Sequence, residues 1–173
     1  MDLFEAIMTR RSIRNFKNVP VEKETIKKIL EAAMNAPTAG NQLAWQFVVV
    51  TAREMLNELA KAHPYADSLL SAPLAIAVCG DVKAEKHSGF WVQDCSAATQ
   101  NILLAAHAEG LGAVWLGVYP RADREKSVSR VMGLPEGIIT LSIVAIGHPV
   151  RKLSPQKRYD ESKVHYNGWR VER

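Results

Sequence analysis

The first pattern along the chain is helical. Between Asp2 and about Arg10, the apolar residues Leu3, Phe4, Ile7 and Met8 recur at helical spacing, with Asp2 available as the N-cap. From about Glu22 to Asn35, Ile26, Ile29, Leu30, Ala33 and Met34 form one face opposite Lys23, Lys27 and Lys28, and Pro37 ends the helix. A third amphipathic segment runs from Arg53 to about Ala62 and stops before Pro64. The longest, Phe90 to Glu109, is apolar around most of its circumference and closes at Gly110. Such a helix is either central or buried at a subunit interface. Asp123 to Met132 predicts one more helix.

Four short runs have strand character instead: "QFVVVT", Leu74 to Cys79, "LGAVWLGVY" and "IITLSIVAIGHP". The last is nearly continuous in apolar residues, as a strand covered on both faces must be. Helices alternating with buried strands predict one layered α+β or α/β domain over 1–173, built on a small sheet. After Pro149 the periodicity disappears and Lys and Arg become frequent. Tyr159, Tyr166 and Trp169 are costly to leave in water, so the tail is expected to dock onto something.

Composition narrows the picture. With 47% hydrophobic residues, 173 residues suffice for one well-packed core. The net charge of +4 favours anionic small molecules, and no basic stripe interleaved with aromatics suggests a nucleic-acid surface. Cys79 and Cys95 form no C-x-x-C pair and read as small buried hydrophobes in a reducing compartment. The opening "MDLFEAIMTRR" lacks the basic-then-apolar order of a leader, and no apolar run reaches the length of a membrane span. The expectation is a soluble, cytoplasmic protein without a membrane or nucleic-acid partner.

Four segments carry candidate chemistry. "RRSIRNF" places Arg10, Arg11, Ser12 and Arg14 together, a set suited to phosphate, although basic residues after a helix also complement its dipole. "PTAGNQLAW" offers small residues and Asn41 for close approach to a ligand, yet a plain turn uses the same residues. In "GLGAVWLG", Gly110 and Gly112 suit a helix end and a strand entry, whereas Gly117 could expose a backbone N–H to a ligand. The order is helix then strand, which rules out the dinucleotide fingerprint. In "SPQKRYDE", Lys157 and Arg158 are either solvated charges or the far side of a phosphate site begun by Arg10 and Ser12.

Side-chain catalysis finds little support. The five histidines lack metal-ligand spacing, and no nucleophile elbow is present. His107, on an apolar helix, reads as a satisfied buried residue, and His148 as a strand end. The expectation is no metal and no catalytic side chain, with any reactive group borrowed from a cofactor.

Taken together, "RRSIRNF", "AAMNAP", "PTAGNQLAWQFVVV", "QDCSAATQNILLAAHAEGLGAVWLG", "AIGHP" and the basic tail resemble, in order and spacing, the nitroreductase family. The likeness covers essentially the whole chain and fits the compact members of that family. It implies an α+β three-layer fold whose mostly antiparallel sheet is flanked by helices, and a homodimer with intertwined C-terminal tails. The implied cofactor is FMN, reduced by NADH or NADPH and reoxidised by a nitroaromatic, quinone or similar small-molecule acceptor.

Residue roles follow from the same resemblance. Arg10 and Ser12 with Arg158 would hold the FMN phosphate and ribityl chain, with Arg11 contributing. Arg14 would sit at the pyrimidine edge, where a cation stabilises the reduced ring. Asn41 would hydrogen-bond the polar edge of the ring, and Pro37, Thr38 and Ala39 would approach from the partner subunit. Leu116 and Gly117 would lie near N5. Two departures stand out: Leu43 and Ala44 precede Trp45 where many relatives have Gln-Pro or a similar pair, and Gln156 stands where a lysine is often found two positions before the tail arginine.

Overall fold

Asp2 caps the first helix as its position predicts. In the computed structural model, which describes residues 1–169, its carboxylate accepts from the Glu5 amide at 2.9 Å at the start of α1 (Leu3–Thr9). Residues 170–173 of the basic tail lie outside the described part. The remaining helices are α2 (Lys23–Met34), α3 (Arg53–Ala62), α4 (Trp91–Ala108) and α5 (Ala122–Met132). Gly133, in the left-handed region, closes α5.

The strands are β1 (Trp45–Val50), β2 (Leu74–Asp81), β3 (Gly112–Gly117) and β4 (Ile138–Gly147), in the spatial order β1-β2-β4-β3 with every pair antiparallel. Antiparallel pairing decides for α+β. β2 runs two residues beyond the expected Cys79, because Gly80 and Asp81 continue the ladder with Ile139 and Ile138. β3 ends at Gly117, short of the expected Tyr119, because the Val118 and Tyr119 amides both converge on the Leu141 carbonyl and leave the regular register.

Two apolar layers sandwich the sheet. Leu74, Ile76 and Val78 of β2 face Ile29 of α2 and Ile102 of α4. The alternate residues Ala75, Ala77 and Cys79 face Leu56 and Leu59 of α3 and Val128 of α5. This period of two explains why a strand buried on both sides reads as one apolar run. Of the two placements its composition allows, α4 takes the central one within the chain, lying against the sheet with α2 on one flank and α1 also touching it. His107 near its end bonds Thr9 of α1 through Nε2 at 2.8 Å, so it is a satisfied, half-buried residue.

Candidate active site

The arginine segment leaves α1 along the open edge of the sheet. Ser12 bridges Ala113, with the Ile13 amide donating to the Ala113 carbonyl at 3.0 Å. Phe16 then bridges Pro149, and the Val150 amide donates to Asn15. The first residues after α1 are thus held between β3 and the start of the tail, which brings the two ends of the chain together.

The tail completes a basic cavity there. A space of about 400 Å³ is bordered by Ile7, Met8, Arg10, Arg11, Gln156, Arg158 and Tyr159. Burial first, then the Arg158 and Arg11 guanidiniums, push the pKa of Arg10 below its ordinary value. Among the described residues, neither Arg10, Arg11, Arg14 nor Arg158 is paired with a carboxylate. Clustered arginines without counter-charges are unfavourable unless an anion joins them. Gln156 accepts from Arg158 Nη2 at 2.8 Å and Nε at 3.3 Å, so it orients the guanidinium where a lysine would have added charge. Arg11 differs from its neighbours, because its Nη1 donates to the Ser154 carbonyl and tethers the tail. Arg14 borders a second cavity of about 200 Å³ with Ser12, Ile13, Asn15, Arg151 and Leu153, so Ser12 lines this space and not the one shared by Arg10 and Arg158. Arg151 and Leu153 carried no local sequence signal.

Gly117 lies further along the same edge. The Val118 amide donates to its opposite residue Leu141, which makes Gly117 and Ser142 a non-hydrogen-bonded pair. The Gly117 N–H and C=O therefore point off the sheet, and no described residue accepts from the amide. Its carbonyl takes two donors, Nε2 of the buried His63 at 2.8 Å and Nη1 of the half-buried Arg124 at 2.9 Å. A Cβ at Gly117 would meet no described residue within 4 Å, so packing among the described residues does not require glycine there. The open face suits a flat ligand laid against bare backbone. Leu116 beside it is buried in the α3/α5 layer, so it supports that face from within.

Pro37, Thr38, Ala39 and Asn41 sit elsewhere, on the loop before β1 at the opposite edge of the sheet. Three strand spacings separate the two edges, roughly 14 Å. One chain therefore does not bring this loop to the arginines. The loop itself is tightly specified. Asp94 of α4, only 3% exposed, accepts from the Ala39 amide at 2.9 Å and from Gln42 Nε2 at 2.7 Å. Gln42 Oε1 in turn accepts from the Lys86 and His87 amides. Gly40, Asn41 and Leu43 all have φ of +52°, and a Cβ on Gly40 would lie 2.1 Å from His87 Nε2. A left-handed leucine is unusual, and Leu43 is half exposed, which puts an apolar side chain on a strained, surface-facing turn. Asp94 and Gln42 were missed because nothing in local spacing marks one buried carboxylate as the anchor of a distant loop.

Among the described residues, no group of His, Cys, Asp or Glu could hold a metal ion, and no helix is long and apolar enough to cross a membrane. Cys79 and Cys95 are free and buried, with burial pushing their thiols up to about 11 and about 12.

The nitroreductase family model matches residues 7–64 and 56–148. A protein of Methanothermobacter thermautotrophicus, provisionally named NADH dehydrogenase/NAD(P)H nitroreductase, is 48% identical over 169 residues, covering 98% of this chain and 88% of that one. The structure of an FMN-dependent nitroreductase from Clostridium difficile superposes with a TM-score of 0.89 at 32% identity, over 96% of this chain and 100% of the other. That of the Vibrio harveyi NADPH:FMN oxidoreductase, complexed with NAD+, gives 0.86 at 27% identity, over 98% and 79%. The three-layer fold, the family model and the 48% identity together establish that this chain belongs to the nitroreductase family.

Proposed function

We propose that the chain is an FMN-dependent NAD(P)H oxidoreductase, a single cofactor-binding domain over residues 1–173 acting as a cytoplasmic homodimer. The observation that carries this reading is the meeting of Arg10 and Arg158, from opposite ends of the chain, on one cavity without a carboxylate partner among the described residues. Guanidinium forks with Ser12 beside them suit a phosphate monoester, and the bare backbone at Gly117 suits a planar ring. Bound there, FMN supplies ping-pong hydride transfer at N5, from NADH or NADPH to a nitroaromatic, quinone or similarly electron-poor acceptor.

The chain's own residues position and tune. Arg10, Ser12 and Arg158 hold the phosphate end, with Arg11 tethering the tail that carries Arg158. Arg14 supplies fixed positive charge at the electron-rich edge of the ring, favouring its reduced form. The Gly117 amide offers a donor toward N5, and Leu116 backs that face. No side chain acts as obligatory acid or base, because protons can come from solvent in an open cleft.

A second copy supplies what one chain lacks. The loop with Pro37, Thr38, Ala39 and Asn41 lies at the far edge of the sheet, so its approach to the cofactor is made from the partner. An exposed apolar face supports the same assembly: Leu3, Phe4, Ile7 and Met8 of α1 are 48–77% exposed in the single chain. Tyr166 and Trp169 of the tail are likewise uncovered, as expected of segments that wrap a partner.

The test is direct. The purified protein is expected to be yellow, to bleach on NADH or NADPH, to turn over a quinone, and to scatter as twice its 19.2 kDa mass. Colourless protein that cannot be reconstituted with FMN overturns the assignment. Bound flavin without turnover would make it a redox carrier instead.

A further inference from the structure

The buried group behind Gly117 has no place in the roles above. His63 ends α3 and is 2% exposed, and Arg124 lies in the first turn of α5. The Tyr65 amide donates to His63 Nδ1 at 3.2 Å, so Nδ1 is an acceptor and the ring hydrogen sits on Nε2, aimed at the Gly117 carbonyl. The Arg124 guanidinium lies over the Tyr65 ring at 5.2 Å while donating to the same carbonyl. Its Nε is buried without a partner among the described residues, an expensive arrangement if the side chain only closed a turn.

Glycine explains why two donors are needed. Absence of a Cβ leaves the face of residue 117 open, but it also removes the steric restraint that holds other residues in a strand. In an extended residue the N–H and C=O point to the same side, so fixing the carbonyl direction fixes the amide direction. We propose that His63 and Arg124 are positioning residues that, by pinning the Gly117 carbonyl from behind, aim the adjacent Gly117 amide at the flavin ring. The inference rests on the FMN reading above. Its chemical content is separate, since the pinned amide exists whether or not a cofactor is bound.

Two experiments separate the possibilities. In FMN-free protein, backbone hydrogen exchange at Val118, whose amide shares the peptide unit of the Gly117 carbonyl and bonds Leu141, should be on the order of tenfold faster in His63→Leu and Arg124→Met than in wild type, and near normal in His63→Gln, which keeps a donor. In FMN-loaded protein, His63→Leu should shift the visible flavin band and lower kcat on the order of tenfold with KM for NAD(P)H little changed, and His63→Gln should restore both. Unchanged exchange at Val118 overturns the pinning. Faster exchange with an unaltered flavin spectrum and kcat overturns the positioning role and leaves a structural one. If His63→Leu does not fold, Arg124→Met and His63→Gln carry the same comparison. Wild-type protein that takes up no FMN would fail the assignment of function, while the exchange experiment would still decide whether the amide is pinned.

Discussion

Asp94 accepts a 2.7 Å hydrogen bond from Gln42, and both residues are buried although their Cα positions lie on different elements. The same carboxylate accepts from the Ala39 amide, so α4 dictates the shape of the loop before β1. Asp94→Ala should therefore strand the Ala39 amide and the Gln42 side chain together. The expected cost is about 2–3 kcal/mol, or roughly 4–12 °C in Tm for a chain of this size, read by thermal unfolding. Asp94→Asn should cost less, because the amide oxygen still accepts one bond. Equal stability of Asp94→Ala and wild type would remove the anchor role.

Arg158 joins the basic cavity only because the tail folds back onto α1. Arg158→Ala should weaken FMN binding by about 1.5–3 kcal/mol, roughly 10- to 150-fold in Kd, measured by fluorescence titration of the FMN-free protein. Gln156→Ala removes only the acceptor that orients the guanidinium, so a smaller loss is expected. Unchanged affinity in Arg158→Ala would take the tail out of the site.

Burial first, then the positive charge of Arg10 and a lesser push from Lys152, hold His107 below its usual imidazole range, while Glu5 opposes them. Between that depressed value and about 6.5 the unfolded chain binds the extra proton more readily than the folded one. Stability from this group is complete above about 6.5 and is lost as pH falls through the folded value. Melting curves at neutral and mildly acid pH should show a larger loss for wild type than for His107→Gln, which keeps a donor for Thr9 but cannot titrate. An identical loss in both would assign the acid sensitivity to other groups.

Cys79 and Cys95 sit inside the core with thiols pushed up to about 11 and about 12, so almost no thiolate is available near neutrality. A thiol reagent should label neither in the native protein and both after denaturation. Rapid native labelling would mean that α4 and β2 open far more readily than their packing suggests.

Much of this molecule was readable from local pattern. The helical periods of α1 to α4, the apolar run of β4 and the loop residues between them depend on neighbours within a few positions, and the observed element bounds depart from expectation by only a few residues. The departures have tertiary causes: Gly80 and Asp81 join β2 because β4 lies beside them, and β3 stops where its amides converge on Leu141. Arg10, Ser12 and Gly117 could be singled out because unusual residue types stood at the ends of predictable elements. Their partners could not. That Arg158 reaches Arg10, that Asp94 governs Ala39 and Gln42, and that His63 and Arg124 meet at Gly117 are consequences of chain crossing. Periodicity reports which face of an element avoids water, an interaction with solvent that each segment settles almost alone. Hydrogen bonds between residues 54 or 55 positions apart exist only once packing has closed the intervening loops, so folding alone decides them.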